Sequence, residues 1–135
     1  MITICTRWES LQMPAAMEWR MWRQLKGAFQ INRFCFTPVD FEMQYCTFEQ
    51  YKTMQEALDS CQGRKIFLEP EGEHGLEAIA GIENPVFILG NTEHSNNNFV
   101  RPEEGDLAVR IKTPGKTDFY GINAASIALA YWYGQ

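Results

Sequence analysis

The chain has 135 residues, 45% of them hydrophobic and 21% charged, and carries a net charge of −5. That make-up suits one folded domain over residues 1–135 and excludes an extended disordered chain or a fibrous repeat. No apolar run approaches the roughly 18 residues a membrane span needs, and the start, Met1-Ile2-Thr3-Ile4-Cys5-Thr6-Arg7, lacks a signal-peptide pattern, so a cytoplasmic setting without a membrane partner is expected.

Ile2 to Arg7 has strand composition, and Leu11-Gln12-Met13-Pro14 reads as a turn whose proline suits a first helical position. Beyond it Ala15, Trp19, Trp22, Leu25 and Phe29 recur as one helical stripe, with Arg20, Arg23 and Gln24 on the other side and Gly27 expected to fray the end. A second strand, Ile31 to Thr37, is stopped by Pro38. After the polar and aromatic stretch Val39 to Cys46, Thr47-Phe48-Glu49-Gln50 has the form of a capping box. Tyr51, Met54, Leu58 and Cys61 then predict a second helix that Gly63 ends.

Arg64 to Leu68 is a third strand, halted by Glu69-Pro70-Glu71-Gly72, and a short helix around Leu76 to Ala80 ends at Gly81. A fourth strand, Val86 to Leu89, breaks at Gly90-Asn91. A further apolar run, Leu107 to Ile111, breaks at Thr113-Pro114-Gly115, and a terminal helix opens at Gly121. Alternation of strand and helix argues for an α/β fold with a parallel sheet flanked by helices, because right-handed crossovers place a helix between successive parallel strands.

The chemistry-bearing side chains are sparse. Cys5, Cys35, Cys46 and Cys61 are far apart in sequence and form no C-x-x-C pair, so they read as reduced, packed thiols, and no metal is expected. His74 and His94 lie in loops without an evident partner, and Ser126 is expected to bond back to the helix main chain. No nucleophile elbow, P-loop or dinucleotide fingerprint occurs. The charge is uneven: residues 1–38 carry a net +3, residues 39–106 a net −10 and residues 107–135 a net +2. Basic ends on an acidic chain are sufficient for phosphate contact, though solvated helix and strand-end charges have the same signature.

Three loops resemble those of the SPOUT methyltransferases, specifically the SpoU/TrmH type. Gly90-Asn91 keeps the start of that family's second motif, with Thr92 where a Glu is usual and Glu93 one residue late. Ile111-Lys112-Thr113-Pro114-Gly115 and Gly121-Ile122-Asn123-Ala124-Ala125 are similar to the third, with Gly121 in place of a Ser. Of the first motif only Arg20 remains, with Pro14 at the Asn and Ala16 at the Gly.

The resemblance implies a SPOUT-like fold with a C-terminal trefoil knot, residues 107–135 threading the loop after the fourth strand. It also implies binding of S-adenosyl-L-methionine by Leu89, Gly90, Asn91, Ile111, Thr113, Pro114, Ile122 and Ala124, where glycine and small residues let the main chain approach a ligand. Arg20 and Asn123 take the catalytic roles in methylation of a ribose 2'-hydroxyl of tRNA or rRNA. The terminal helix, apolar almost all round, has to be buried on more than one face; the resemblance implies that it packs against a second copy in a homodimer, the alternative being a monomer that buries it wholly in its own core. Two alternatives stay open: a catalytically decayed SPOUT-like module that binds RNA or senses the cofactor, and a flavodoxin-like domain that binds a nucleotide or protein partner.

Overall fold

The computed structural model describes residues 1–8, 14–37, 48–90, 100–115 and 117–135. Expectations resting on Leu11 to Met13, Pro38 to Thr47, Asn91 to Asn98 (His94 among them) and Lys116 lie outside the described residues.

Six parallel strands form one sheet: β1 (Thr3–Arg7), β2 (Arg33–Thr37), β3 (Glu49–Gln50), β4 (Arg64–Leu68), β5 (Pro85–Leu89) and β6 (Leu107–Val109), in the order β3-β2-β1-β5-β4-β6. The helices are α1 (Ala15–Phe29), α2 (Met54–Asp59) and α3 (Gly121–Tyr133), with a 3-10 turn at Leu76–Ile79. The order carries its own handedness argument. The step from β1 to β2 and the later step from β3 across to β4 run in opposite directions, so right-handed crossovers put α1 and α2 on opposite faces.

The core divides accordingly. Ile4, Phe34, Phe36, Ile66, Leu68, Phe87 and Leu89 pack with α1, α3 and Ile79 on one face. Cys5, Cys35, Phe67, Val86 and Ile88 pack with Met54, Ala57 and Leu58 of α2 on the other. Strand residues alternate between the two sets, and both are apolar, as a parallel sheet covered on both faces requires.

The first face is aromatic. Trp22 meets Phe34 edge-on at 5.1 Å, Phe34 stacks on Phe36 at 5.3 Å and on Phe48 at 4.9 Å. Each such side chain contributes about 1.5–3 kcal/mol by leaving water. Trp22 also donates its indole N–H to buried Glu18 at 3.2 Å, so its polar edge is satisfied. Trp19 lies against Phe48 at 4.5 Å and belongs to this packing.

Three local expectations need correction. The capping box lies six residues later than expected: Glu49-Gln50 is strand, paired with Cys35 and Phe36, and Thr53 caps α2 by accepting the Glu56 N–H at 3.1 Å. Glu49 is held extended because Arg33 donates to both its carboxylate oxygens, at 2.8 and 2.6 Å. Helix α1 runs through Gly27 to Phe29 and ends at Gln30, a left-handed residue (φ 53°) whose N–H reaches the Lys26 carbonyl. Finally, β6 stops at Val109 rather than Ile111. Its pairing on β4 ends where Pro70, without an N–H, follows Glu69, and the Arg110 N–H turns instead to the His74 carbonyl at 2.8 Å.

Candidate functional site: a cavity at the strand ends

Leu68 of β4 stands in register with Leu89 of β5 and with Val109 of β6, so the three strands finish level and their outgoing loops start side by side. In an open parallel sheet that carboxyl edge is where a crevice forms. Here it is a cavity of about 560 Å³, within the range that holds a cofactor-sized ligand.

Each wall has a separate origin. Leu89 and Gly90 come from the end of β5, Val109 and Ile111 from β6, and Thr113 and Gly115 from the turn beyond, where the Thr113 hydroxyl donates to the Gly115 carbonyl at 3.3 Å. Gly121 and Ala124 come from the first turn of α3, whose Asn123 and Ala124 N–H groups donate to the Tyr120 carbonyl at 3.0 and 3.1 Å. The wall of β6 is clamped from outside. Glu69 N–H donates to the Val109 carbonyl at 2.9 Å and His74 N–H to the Ala108 carbonyl at 3.0 Å. Gly72 lies so close to this strand that a Cβ there would be 2.5 Å from the Val109 carbonyl carbon.

Of the residues expected to contact a cofactor, Leu89, Gly90, Ile111, Thr113 and Ala124 line this one cavity. Pro114 sits in the turn between two lining residues. Ile122 does not line it: its side chain is buried in the core under α3. Asn91 is outside the described residues. Asn123 is exposed on the first turn of α3, and Arg20 is exposed on α1, away from the cavity lining of its own chain.

Sequence reading missed the contribution of β4's exit. Leu68, Glu69 and Pro70 form a further wall; the Glu69-Pro70 halt was visible, but nothing local placed β4 between β5 and β6. It also missed the polar lining. Arg110 and Lys112 face the cavity along with Asp118 and with Glu69, which is only 4% exposed. Two cations and two carboxylates around an apolar floor of Leu68, Leu89 and Val109 suit a ligand that carries both signs of charge beside an apolar ring. His74, expected to lack a carboxylate partner, is exposed with Nε2 3.9 Å from Glu73. Ser126 donates to the Ile122 carbonyl at 2.8 Å, the back-bond expected of it.

No protein-family profile matches the chain, and no curated protein sequence matches it. Solved structures do. A chain from work on the 2-OH methylation of C/U34 on tRNA superposes with a TM-score of 0.69 at 14% identity, over 100% of this chain and 98% of that one. A candidate RNA methyltransferase from Bacillus anthracis gives 0.71 at 13% identity, over 99% and 93%. A candidate RNA methyltransferase of the TrmH family from Porphyromonas gingivalis gives 0.57 at 12% identity, over 96% of this chain and 59% of that one. The chain therefore shares the parallel α/β fold of these methyltransferase structures, the sheet flanked by helices that the sequence resemblance implied.

Proposed function

We propose that the chain is an S-adenosyl-L-methionine-dependent RNA methyltransferase that modifies a ribose 2'-hydroxyl of tRNA or rRNA in the cytoplasm. The observation that carries the reading is the convergence of the β5 exit, the β6 exit and the start of α3 on one cavity, in a fold that superposes along nearly its full length on a chain from a study of tRNA 2-OH methylation. A flavodoxin-like assignment fares worse, since that fold orders its strands 2-1-3-4-5, whereas here β5 lies between β1 and β4.

When bound, the donor supplies an electrophilic methyl group on a sulfonium. Gly90, Asn91, Thr113 and Pro114 would hold it through main-chain groups, as would Ile122, whose side chain is committed to the core. Leu89, Ile111 and Ala124 would enclose its apolar parts. Glu69 and Asp118 offset positive charge, and Arg110 and Lys112 negative. Held in line, the ribose oxygen takes the methyl while its proton leaves to solvent or a nearby acceptor. Arg20, as a guanidinium cation, stabilises the developing alkoxide, and Asn123 orients the ribose.

Because Arg20 does not line its own chain's cavity, the same proposal assigns it to the cavity of a partner copy in a homodimer. Half-exposed Ile127 and Tyr131, one turn apart on α3, offer a surface for that contact. A trefoil knot, with residues 107–135 threaded through the loop after β5, belongs to this reading; a crystallographic backbone trace with α3 outside that loop overturns it.

The test is transfer of labelled methyl from the donor to tRNA and rRNA transcripts, followed by alkaline hydrolysis. A 2'-O-methyl product appears as an alkali-resistant dinucleotide. Donor binding without transfer to any RNA would favour the decayed, cofactor-sensing module, which the sequence departures at Pro14, Ala16, Thr92 and Gly121 motivate.

A further inference from the structure

On the face of the sheet opposite α1 and α3, three thiols that are 30, 26 and 56 residues apart in sequence come together. Cys5 lies on β1, Cys35 is its register partner on β2, and Cys61 follows the end of α2. Their sulfurs all lie within 4.8 Å of one another, Cys5 and Cys61 at 3.6 Å. All three are buried, Cys5 and Cys35 completely.

We propose that Cys5, Cys35 and Cys61 bind one thiophilic metal ion, zinc foremost, as a structural site that ties α2 to the centre of the sheet. A zinc–sulfur bond of about 2.3 Å sets neighbouring sulfurs roughly 3.8 Å apart in a tetrahedron. The existing spacing reaches that with movements under about 1 Å, within the reach of side-chain torsions. A disulfide asks more of the same atoms, since Cys5 and Cys61 sulfurs would have to close to about 2.05 Å. It would also leave the third thiol without a role.

Charge supports the assignment. Binding releases the three thiol protons to solvent, and three thiolates with a divalent ion carry one net negative charge, costly to bury unless compensated. Arg33, which also pairs with Glu49, offsets part of that charge: its Nη1 donates to Cys61 Sγ at 3.8 Å and to the Ser60 carbonyl at 2.9 Å. Glu49, held by Arg33, has Oε2 at 3.9 Å from Cys35 Sγ and adjoins the cluster as an oxygen donor for the remaining position.

The experiment uses the full chain, reduced and stripped by chelator, titrated with Cd²⁺ as spectroscopic probe and then with Zn²⁺. A thiolate-to-metal charge-transfer band saturating at one equivalent, displaced by zinc, is expected, with a raised melting temperature in zinc. In Cys61→Ser, the least buried position, affinity should fall at least about a hundredfold, the upper end of what an altered ligand shell costs. Should that variant fail to fold, alkylation of the wild type followed by mass spectrometry decides: zinc should protect Cys5, Cys35 and Cys61. Absence of a charge-transfer band, or labelling of the three thiols unaffected by zinc, overturns the proposal. So does a reduced chain that takes up no metal but forms a Cys5–Cys61 disulfide on mild oxidation.

Discussion

A Cβ atom at Gly121 would stand 3.1 Å from the carbonyl oxygen of Gly90, so the first residue of α3 rests directly on the loop that leaves β5. The same Cβ would be 3.6 Å from the Thr6 hydroxyl and 3.7 Å from Leu89 Cβ. Both glycines line the cavity, and their contact joins two of its walls. Gly121→Ala needs a shift of a few tenths of an ångström and should cost about 1 kcal/mol, whereas Gly121→Val overpacks the contact and should cost about 1–3 kcal/mol. Thermal melts would show the ranking, and donor affinity should fall in the same order.

Gly72 makes the parallel prediction for the wall formed by β6. Its missing side chain leaves room for the main chain of Val109 and Arg110, with a Cβ falling 2.5 and 2.8 Å from their backbone atoms. Backbone does not yield as a side-chain tip does, so Gly72→Ala should displace β6 and destabilise the fold by about 3 kcal/mol or more. Denaturant unfolding measures it; a loss below about 0.5 kcal/mol would show that the loop relaxes freely.

How much of this was legible in the sequence follows from where each signal resides. Local signals sufficed for the strands that carry the site: the apolar runs at Arg64–Leu68 and Pro85–Leu89 end at residues with turn chemistry, and both ends proved to be cavity walls. Order within the sheet is not local, so Glu69 could not be placed beside Val109, nor Cys61 beside Cys5. The two residues of β3 were hidden for another reason. Glu49-Gln50 is fixed extended by Arg33, 16 residues away, and overrides a capping-box pattern that Thr53 and Glu56 satisfy instead.

Arg20 and Arg23 test the chemistry. Both are exposed on α1. If Arg20 stabilises the developing alkoxide, Arg20→Ala should lower methyl transfer at least about a hundredfold with donor affinity unchanged. Arg23→Ala should instead weaken RNA binding and reduce its salt slope by about one. Mixing Arg20→Ala with Gly90→Val subunits should restore part of the activity, since one mixed cavity then has both an intact donor site and an intact arginine. No recovery on mixing, with exchange shown by mass, would place Arg20 at its own chain's site.

The Arg33–Glu49 pair should appear in the acid limb of stability. The hydrogen bonds from Arg33 hold the Glu49 carboxyl below its ordinary value of 4.5, burial opposing them. A depressed carboxylate stabilises the fold fully above that ordinary value, and the contribution is lost as pH falls through the lower folded value. Glu49 is 42% exposed, so solvent screening limits the contribution to about 1 kcal/mol or less. Glu49→Gln should therefore lower the melting temperature at neutral pH, with the difference shrinking as pH falls below 4.5. A constant difference across that range would remove the charge from the explanation.

Donor binding is tested most directly by calorimetric titration of the full chain with S-adenosyl-L-methionine or its demethylated product. One site per chain is expected, abolished by Gly90→Val, which sets a branched side chain on the cavity wall where the main chain must meet the ligand. Gln24→Ala, on the exposed side of α1, should leave the titration unchanged. No heat and no thermal shift with millimolar ligand, in wild-type protein whose melt is cooperative, would contradict the assignment of this cavity as a methyl-donor site.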